Sequence, residues 1–472
     1  MKTVVVVGGG FSGVVTAVNL ARLTDTPLAV TVLNADRPAG RGVAYGTRRP
    51  EHLLNVVARN MSALADQPEH FIEWLGTRSD FADVPPAELR ESFVPRRVYG
   101  DYLQALFLWY ARSFADGKKV RIDSHTATVT DVEPRGDGAR VRTADGRTFD
   151  ADKVVLATGN PPPVDLPGLS LDHPMYFRDP WGDWESRLPD PSRDVAILGT
   201  GLTTVDAFLT LRAMNWRGRI FAVSRNGLLP QSHFKAPDYP DFPGDDPTGL
   251  GLDRLRTLFE SHCGRLRERG LNPAVLVDKM RPFTQRVWQN LSVPEKRRFL
   301  TEFRTPWNVT RHRVAGSIHH ELTAAIAAGK LEVVAGRITE LSACEGGLKV
   351  VAGGRELRVG AVVNCTGPAE ESAGSELYRN LLCRGLVSAD DLGLGVRAGA
   401  DFAAIDSSGA RSPWLMVLGP PLKGVLWETT AVPELRAQAF RVAEVVIADL
   451  HANRAAVREV EELYADVLEY SI

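Results

Sequence analysis

"VVVVGGGFSGVVTAVNLAR", residues 4–22, is the stretch whose reading decides the fold. From Thr3 to Val7 the chain is a continuous β-branched run, the mark of a strand buried on both faces of a parallel sheet. Gly8, Gly9 and Gly10 break it. Phe11 to Arg22 then reads as a helix with Val14, Val15, Val18 and Leu20 apolar, and Leu28 to Leu33 reads as a second strand. Gly8-x-Gly10-x-x-Gly13 therefore sits after a buried strand and opens a helix, with Ala17 four residues beyond the third glycine. In that setting Gly8 permits the tight turn, Gly10 lets a pyrophosphate approach the backbone, and Gly13 lets helix and strand close up. The helix N-terminus, opened by Phe11 and Ser12, then faces the phosphates. An acidic residue is expected at the end of the second strand to hold a ribose. Asn34 stands there, with Asp36 two residues on, and the sequence leaves the choice between them open.

The same grammar recurs. "DVAILGTG" (194–201) is again strand then glycines, followed by the helical "LTTVDAFLTLRAM" and the strand "RIFAVSRNG" (219–227). Gly199 and Gly201 keep the first two glycines, and Leu202 and Thr203 open the helix. Thr204 replaces the third glycine, so packing there is expected to be looser, or the hydroxyl to find a partner. Ser224-Arg225 ends the second strand with no acid. A cation at that place suits a 2′-phosphate and favours NADPH over NADH.

Residues 120–159 alternate, turn at "RGDG" and "ADG", and end in "KVVLATG"; residues 331–367 do likewise and end in "AVVNCTG". Each nucleotide unit is thus expected to precede a β-meander, on which Val129 lies, and a strand ending in Thr158-Gly159 or Thr366-Gly367. The expected fold is α/β: two Rossmann-like dinucleotide-binding domains, for FAD and NADPH, with β-meanders and a mostly helical insertion. The first part of the FAD domain spans 1–165, the NADP domain 190–335 with an insertion at about 228–318, and the second part of the FAD domain 336–472. "GNPPPVDLPG" (159–168) reads as a link, and the Pro/Asp/Gly-rich segment 233–250 as a lid or binding loop. In "WLMVLGPPLKGVLWETTAVPELRAQ" (414–438) a strand meets a turn at Gly419. A helix follows, starting near Thr429 to Pro433 and capped by threonine. Its N-terminus, aimed at the pyrimidine end of a flavin, would stabilise negative charge there.

Composition sets the limits. The chain has 472 residues, 44% hydrophobic and 24% charged, enough for two or three domains. A net charge of -2 gives no hint of nucleic acid or an anionic membrane. Four cysteines without C-x-x-C argue against a disulfide framework, a zinc site and a dithiol centre, and no metal site is expected. The N-terminal apolar run is too short for a signal peptide and no run approaches a membrane span, so a cytoplasmic enzyme is expected.

These residues resemble the two-dinucleotide-binding flavoproteins, nearest the flavin-containing monooxygenases and bacterial N-hydroxylating monooxygenases. More closely, they resemble a bacterial group of FAD/NAD(P)-binding proteins. The carriers are "VVVVGGGFSGVVTAVNLAR", "GRGVAYGT", "HLLNVVARNMSALADQPEHFIEWL", "FVPRRVYGDYL", "LGTGLTTVDAFLTL", "SRNGLLPQSH", "VVNCTGPA" and "LWETTAVPELRAQA". In that family an Asn, a Met and an acidic residue precede a Phe-x-x-Tyr/Trp-Leu helix, an order matched by Asn55, Met61, Asp66 and "FIEWL" (71–75).

The resemblance implies that Asn55 lies beside the flavin C4a–N5 edge and the nicotinamide, as the catalytic candidate. Arg41, His52, Met61, Trp427 and Thr429 join the cofactor candidates. His52 reads equally as a satisfied structural histidine, and Arg96 and Arg97 equally as anion ligands or a solvated pair. Trp181 and Trp184 read as packing at the domain junction. The implied activity is that of an NADPH-dependent FAD monooxygenase: a C4a-(hydro)peroxyflavin oxygenates a small nucleophile, an amine nitrogen foremost. The alternative is an FAD-dependent NAD(P)H oxidoreductase without oxygen transfer, and a third reading is a non-catalytic nucleotide sensor. Partners are a small-molecule substrate and dioxygen, with no nucleic acid and no membrane; a homo-oligomer is left open. Two features depart from the family and bear on oxygen transfer rather than flavin binding. The monooxygenase fingerprint is not evident in "DPWGDWESRLPDPSRD", and the usual Gly-Asp of the C-terminal flavin turn is Gly419-Pro420.

Overall fold

In the computed structural model, which describes residues 1–114, 119–369 and 374–451, the opening run becomes strand β1 (Lys2–Val7) at the centre of a six-stranded sheet. Parallel neighbours are β2 (Leu28–Asn34) on one side and β7 (Lys153–Leu156) on the other, so that Val6 lies between Val32 and Val155. Beyond β2 comes β3 (Val120–Thr126), and beyond β7 comes β17 (Arg411–Val417), both parallel; β16 (Ala403–Ile405) closes the edge antiparallel. A β-branched run is buried on both faces here because the sheet is covered twice, by helices on one side and by the antiparallel strands of residues 129–151 on the other. The Phe11–Leu23 helix packs against the Val432–Leu450 helix, so the far end of the described chain completes the first unit.

The second sheet repeats the plan. Strands β9 (Val195–Leu198), β10 (Ile220–Ser224) and β11 (Leu331–Ala335) are joined by β15 (Ala361–Asn364) and β8 (Tyr176–Phe177), all parallel, in the order β11-β10-β9-β15-β8. Two antiparallel meanders follow the units: β4 (Val129–Arg135), β5 (Gly138–Thr143) and β6 (Thr148–Ala151); then β12 (Ile338–Cys344), β13 (Gly347–Ala352) and β14 (Arg355–Val359). The alternating blocks are therefore not all meander. β3 and β11 belong to the parallel sheets. They alternate because they are edge strands with one solvated side, which imitates the pattern of an antiparallel strand.

Segment 251–329 is helical, with Leu252–Glu268, Val275–Met280, Thr284–Asn290, Val293–Arg298, Arg304–Arg311 and Gly316–Ala327 as α-helices. Much of it has its own core around Leu255, Leu276, Met280 and Trp288. The 233–250 loop is anchored rather than free. Tyr239 and Phe242 are buried in that core, and the Tyr239 hydroxyl meets His262 Nδ1 at 2.8 Å.

The stretch 52–57, which ends where a 3-10 turn begins at Ala58, is neither helix nor regular strand. It runs extended against 92–96: Leu54 N donates to Val94 O (2.8 Å), Ala58 N to Ser92 O (3.0 Å) and Arg96 N to His52 O (2.8 Å). This pairing satisfies backbone groups that burial of Leu54 and Ala58 would otherwise leave bare. It also presents two side chains to the second unit. His52 bonds Thr47 Oγ1 through Nδ1 (2.9 Å), and through Nε2 meets Thr210 Oγ1 (2.9 Å) and Asp206 O (3.1 Å). Arg96 donates to Asp206 Oδ2 (2.8 Å) and to Leu53 O (3.0 Å). Arg96 and Asp206 side chains are only 11% and 7% exposed. Burial raises the Asp206 carboxyl, and the Arg96 charge opposes that rise. Removing one partner of such a pair strands a buried charge, at a cost of ~3–5 kcal/mol. Arg96→Ala is expected to lower the urea midpoint by that measure, and the double variant Arg96→Met/Asp206→Leu to recover most of it. Equal losses in the single and double variants would disprove the coupling.

Candidate functional site

At the first glycine turn Gly8 has φ +108°, and a Cβ on it would strike the Ala157 carbonyl. A Cβ on Gly13 would strike the Gly8 carbonyl oxygen, so helix and strand touch there only because both are glycine. Gly10 caps the Phe11–Leu23 helix without any side-chain bond, and no acidic residue occupies its first turn. The first N–H groups, with Phe11 and Ser12, are left facing outward with the positive end of the helix dipole. The loop after β2 folds onto this turn: Gly40 N donates to Gly9 O (2.8 Å), and Gly42 lies against Gly10.

The second turn is built alike. Gly199 has φ +110° against the Cys365 carbonyl, and Gly201 caps the Leu202–Ala213 helix with open space beside it and no acid in the first turn. Thr204 is buried with its hydroxyl unpaired, so the replacement does not lead to a new bond among the described residues. Thr203 follows Leu202 in the first helical turn. Ser224 Oγ meets Thr200 Oγ1 (2.9 Å) at the end of β10, and Arg225 is exposed beyond it with no partner among the described residues.

Asn34 and Asp36 separate clearly. Asn34 Oδ1 accepts from Gly9 N (2.9 Å) and its Nδ2 donates to Arg37 O (2.5 Å), which sets it against the turn. Asp36 is 75% exposed and, among the described residues, meets only the Arg37 guanidinium at 3.7 Å. Arg41 pairs with Asp101 and donates to Arg97 O at 2.9 Å, which holds the post-β2 loop to the Arg96–Ser113 helix. Val129 opens β4 next to the Ala127 N to Asn34 O bond. Thr158 Oγ1 meets the buried Tyr378 hydroxyl at 3.0 Å, and Gly159 turns at φ +71°. Thr366 donates through N and Oγ1 to Asn364 Oδ1, and Gly367 turns at φ +100°. Met61 is core.

Asn55 lies at the seam. A small cavity is lined by Leu53, Leu54, Asn55 and Arg96 from the first unit, by Leu202, Val205 and Asp206 from the second, and by Val314, Ala315 and Ile318 from the segment entering β11. The Asn55 carbonyl accepts from His233 Nε2 at 2.8 Å, while among the described residues its amide makes no side-chain bond. His233 begins the 233–250 loop, and its backbone N donates to Val314 O (2.9 Å). No local pattern in the sequence marks it.

Two expectations are corrected, and His52 takes the structural one of its two readings. His52 spends both ring nitrogens on protein groups and joins the two units, so it is structural. Trp427 stacks on Trp288 (centroids 5.0 Å apart) inside the insertion's core, at φ +59°. Thr429 does not cap the last helix. Ala431 does, and the Thr429 hydroxyl pairs with Gln438, whose Oε1 also holds Gly419 N (2.9 Å). Gly419, at φ +79°, still lies beside Ser12, so the C-terminal turn closes over the first helix N-terminus. Arg97 carries the carbonyl that Arg41 grips.

Behind this turn runs a polar seam that the sequence reading missed. Arg281 grips Glu434 with two nitrogens (2.9 and 3.0 Å), Trp307 Nε1 donates to Glu428 Oε1 (3.1 Å), and Arg436 donates to Ser62 O (3.2 Å). Burial pushes His312, beside Arg311, down to about 4. Burial also lowers His52 and His233 below the ordinary 6.5. The unfolded chain therefore takes up protons first as pH falls. The stability these neutral rings contribute is whole above about 6.5 and is lost as pH drops toward their folded values. Urea midpoints measured from pH 7.5 to 5 are expected to fall, and His312→Gln to fall less; parallel curves would refute this.

Residues 5–161 match the model of a family described as FAD-NAD(P)-binding. No curated protein matches the chain in sequence. By shape, the chain is similar to the ornithine N-hydroxylase of Kutzneria sp. 744, whose structure is described with reduced FAD, NADP+ and L-ornithine. The TM-score is 0.62 at 17% identity, over 95% of this chain and 99% of that one. It is similar also to L-lysine 6-monooxygenase from Pseudomonas syringae (0.63, 18%, over 95% and 100%). Bacillithiol disulfide reductase from Staphylococcus aureus matches at 0.53 and 13%, over 95% and 99%. The fold is therefore that of the two-dinucleotide-binding flavoproteins. Among the described residues no helix is long and apolar enough to cross a membrane.

Proposed function

We propose that the chain is an NADPH-dependent FAD monooxygenase acting on a small nucleophile, an amine nitrogen foremost. The observation that carries it is the seam at Asn55. One cavity joins this residue to Leu202, the residue directly after the second glycine cradle. A nicotinamide end reaching down from that cradle and a flavin end reaching up from the first would meet there. The solved likenesses include N-hydroxylating monooxygenases of the same two-unit fold.

The residues fit both nucleotides. Gly8, Gly10 and the uncapped N–H groups at Phe11 and Ser12 hold a pyrophosphate, with Gly13 keeping helix and strand in contact. Asn34, set against the turn, is the ribose candidate in preference to Asp36. Gly199, Gly201, Leu202 and Thr203 hold the second pyrophosphate, and Arg225 receives a 2′-phosphate beside Ser224. Val129, Thr158, Gly159, Thr366 and Gly367 form walls, Met61 and Thr429 are buried in the protein interior, and Arg41 braces the covering loop. Bound FAD supplies the redox chemistry, accepting hydride from NADPH and delivering electrons to dioxygen. Asn55 directs its amide at the reacting edge. His233 fixes the Asn55 backbone and the base of the 233–250 segment, which keeps water away.

With FAD-loaded protein and a panel of amines, NADPH consumption is expected to yield a product one oxygen heavier. Asn55→Ala is expected to keep FAD but to release hydrogen peroxide at close to one per NADPH. Arg225→Gln is expected to raise KM for NADPH by roughly ten-fold or more and to leave NADH unchanged, since one charge-assisted contact is worth about 1.5–3 kcal/mol. Gly419-Pro420 in place of Gly-Asp favours the second reading, an NAD(P)H oxidoreductase. Stoichiometric peroxide with no oxygenated product from any amine would decide for it.

A further inference from the structure

The Arg96–Asp206 pair is only half used by the fold. Arg96 donates through Nη1 to Asp206 Oδ2 and through Nε to Leu53 O. Among the described residues, Arg96 Nη2 and Asp206 Oδ1 have no hydrogen-bond partner. Both side chains are about nine-tenths buried, and both line the cavity that holds Asn55. Leaving a charged donor and a charged acceptor unmade in a buried place costs stability. A protein retains such groups where something else completes them.

Their position in the second unit points to what completes them. Asp206 stands four residues after Leu202, one turn along the helix that Gly201 caps. It is turned to the first unit, because its Oδ2 meets Arg96 and its carbonyl meets His52 Nε2. The lining beside it is mainly apolar, with Leu202, Val205, Val314 and Ile318. The cavity therefore offers apolar contact for a ring and, on the ion pair, one free acceptor next to one free donor. A primary carboxamide is the complement of that edge, since its nitrogen donates and its oxygen accepts.

We propose that Arg96 and Asp206 together bind the carboxamide of the nicotinamide, Asp206 Oδ1 accepting from its N–H and Arg96 Nη2 donating to its carbonyl oxygen. This rests on the reading of the seam as the place where the nicotinamide end arrives, and not on oxygen transfer. The contact that ties the two units then also orients the ring, in one of its two settings about the glycosidic bond. The flavin pyrimidine edge likewise carries an N–H beside a carbonyl. Asp206 belongs to the helix of the second cradle, which favours the nicotinamide as its ligand.

The test is calorimetric titration of the FAD-loaded, oxidised protein with three probes: NADP+, its 3-acetylpyridine analogue and 2′-phospho-ADP-ribose. The analogue keeps the carbonyl but sets a methyl group where the amide N–H would meet Asp206. NADP+ is expected to bind roughly ten-fold or more tightly than either of the others, because the analogue leaves a buried carboxylate oxygen unpaired. In the Arg96→Met/Asp206→Leu protein, NADP+ is expected to fall to the level of the analogue. Binding of 2′-phospho-ADP-ribose is expected to persist there, because the glycine cradle and Arg225 are untouched. If the double variant does not fold, the wild-type comparison of NADP+ with its analogue decides. Equal binding of those two by the wild type overturns the inference, as does undiminished NADP+ affinity in the folded double variant. Equal weakening of all three probes in that variant also overturns it, because the pair would then only support the second unit. So does loss of FAD with NADP+ affinity kept, which would assign the pair to the flavin. No binding of NADP+ to the wild type overturns the seam reading together with the inference. Discrimination between NADP+ and its analogue in a protein that oxygenates no amine leaves the inference standing and removes only the monooxygenase.

Discussion

The buried contact of Arg96 with Asp206, reinforced by His52 on Thr210, is the constraint on which the arrangement depends. Each nucleotide unit is completed by its own sheet, and each could hold its own ligand. Hydride transfer needs more than that, because the two ligand ends must arrive at one place within a fraction of an ångström. The extended 52–58 strip provides the common reference. It is hydrogen-bonded to 92–96 in the first unit and pinned by ion pair and imidazole to the Leu202–Ala213 helix of the second. Asn55 sits in the middle of that strip. A charged pair is a costly fastener in a dry interior, yet it is directional in a way that apolar packing is not.

The helical insertion is fastened by the segment that follows β17. Trp288 donates to Gly424 O and stacks on Trp427, Gln285 donates to Glu428 O, and Arg281 holds Glu434. The same segment supplies Gly419 beside Ser12 and Arg436 on Ser62. The helical insertion and the Gly419 turn are therefore joined through one segment. The positive φ of Trp427, unfavourable for a bulky side chain, shows that packing in the insertion outweighs the local backbone cost there.

What could be read in the sequence was what is local. Strand, glycine turn and helix are adjacent in the chain and obey steric rules that need no partner, so both units were legible. The edge strands β3 and β11 misled because solvent on one side imposes the alternation of an antiparallel strand. Thr429 was placed at a cap by position alone, but Gln438, nine residues on, competes for its hydroxyl and wins. His52 carried no sign of its partners in the second unit, Asp206 and Thr210, which lie more than 150 residues away. Asp206 and His233 were invisible for the same reason. Each is an ordinary residue in its own neighbourhood and matters through what the tertiary fold sets against it.

Thr204 carries a consequence for timing. In the first unit glycine lets the helix rest on the turn, and in the second a buried β-branched residue with an unsatisfied hydroxyl takes its place. A tight cradle suits a resident that stays through thousands of cycles. A slacker one suits a visitor whose departure must not limit the cycle. The difference between a single methyl-bearing side chain and a hydrogen atom is thus the place where the two units would part in dwell time, the first nucleotide being retained and the second exchanged.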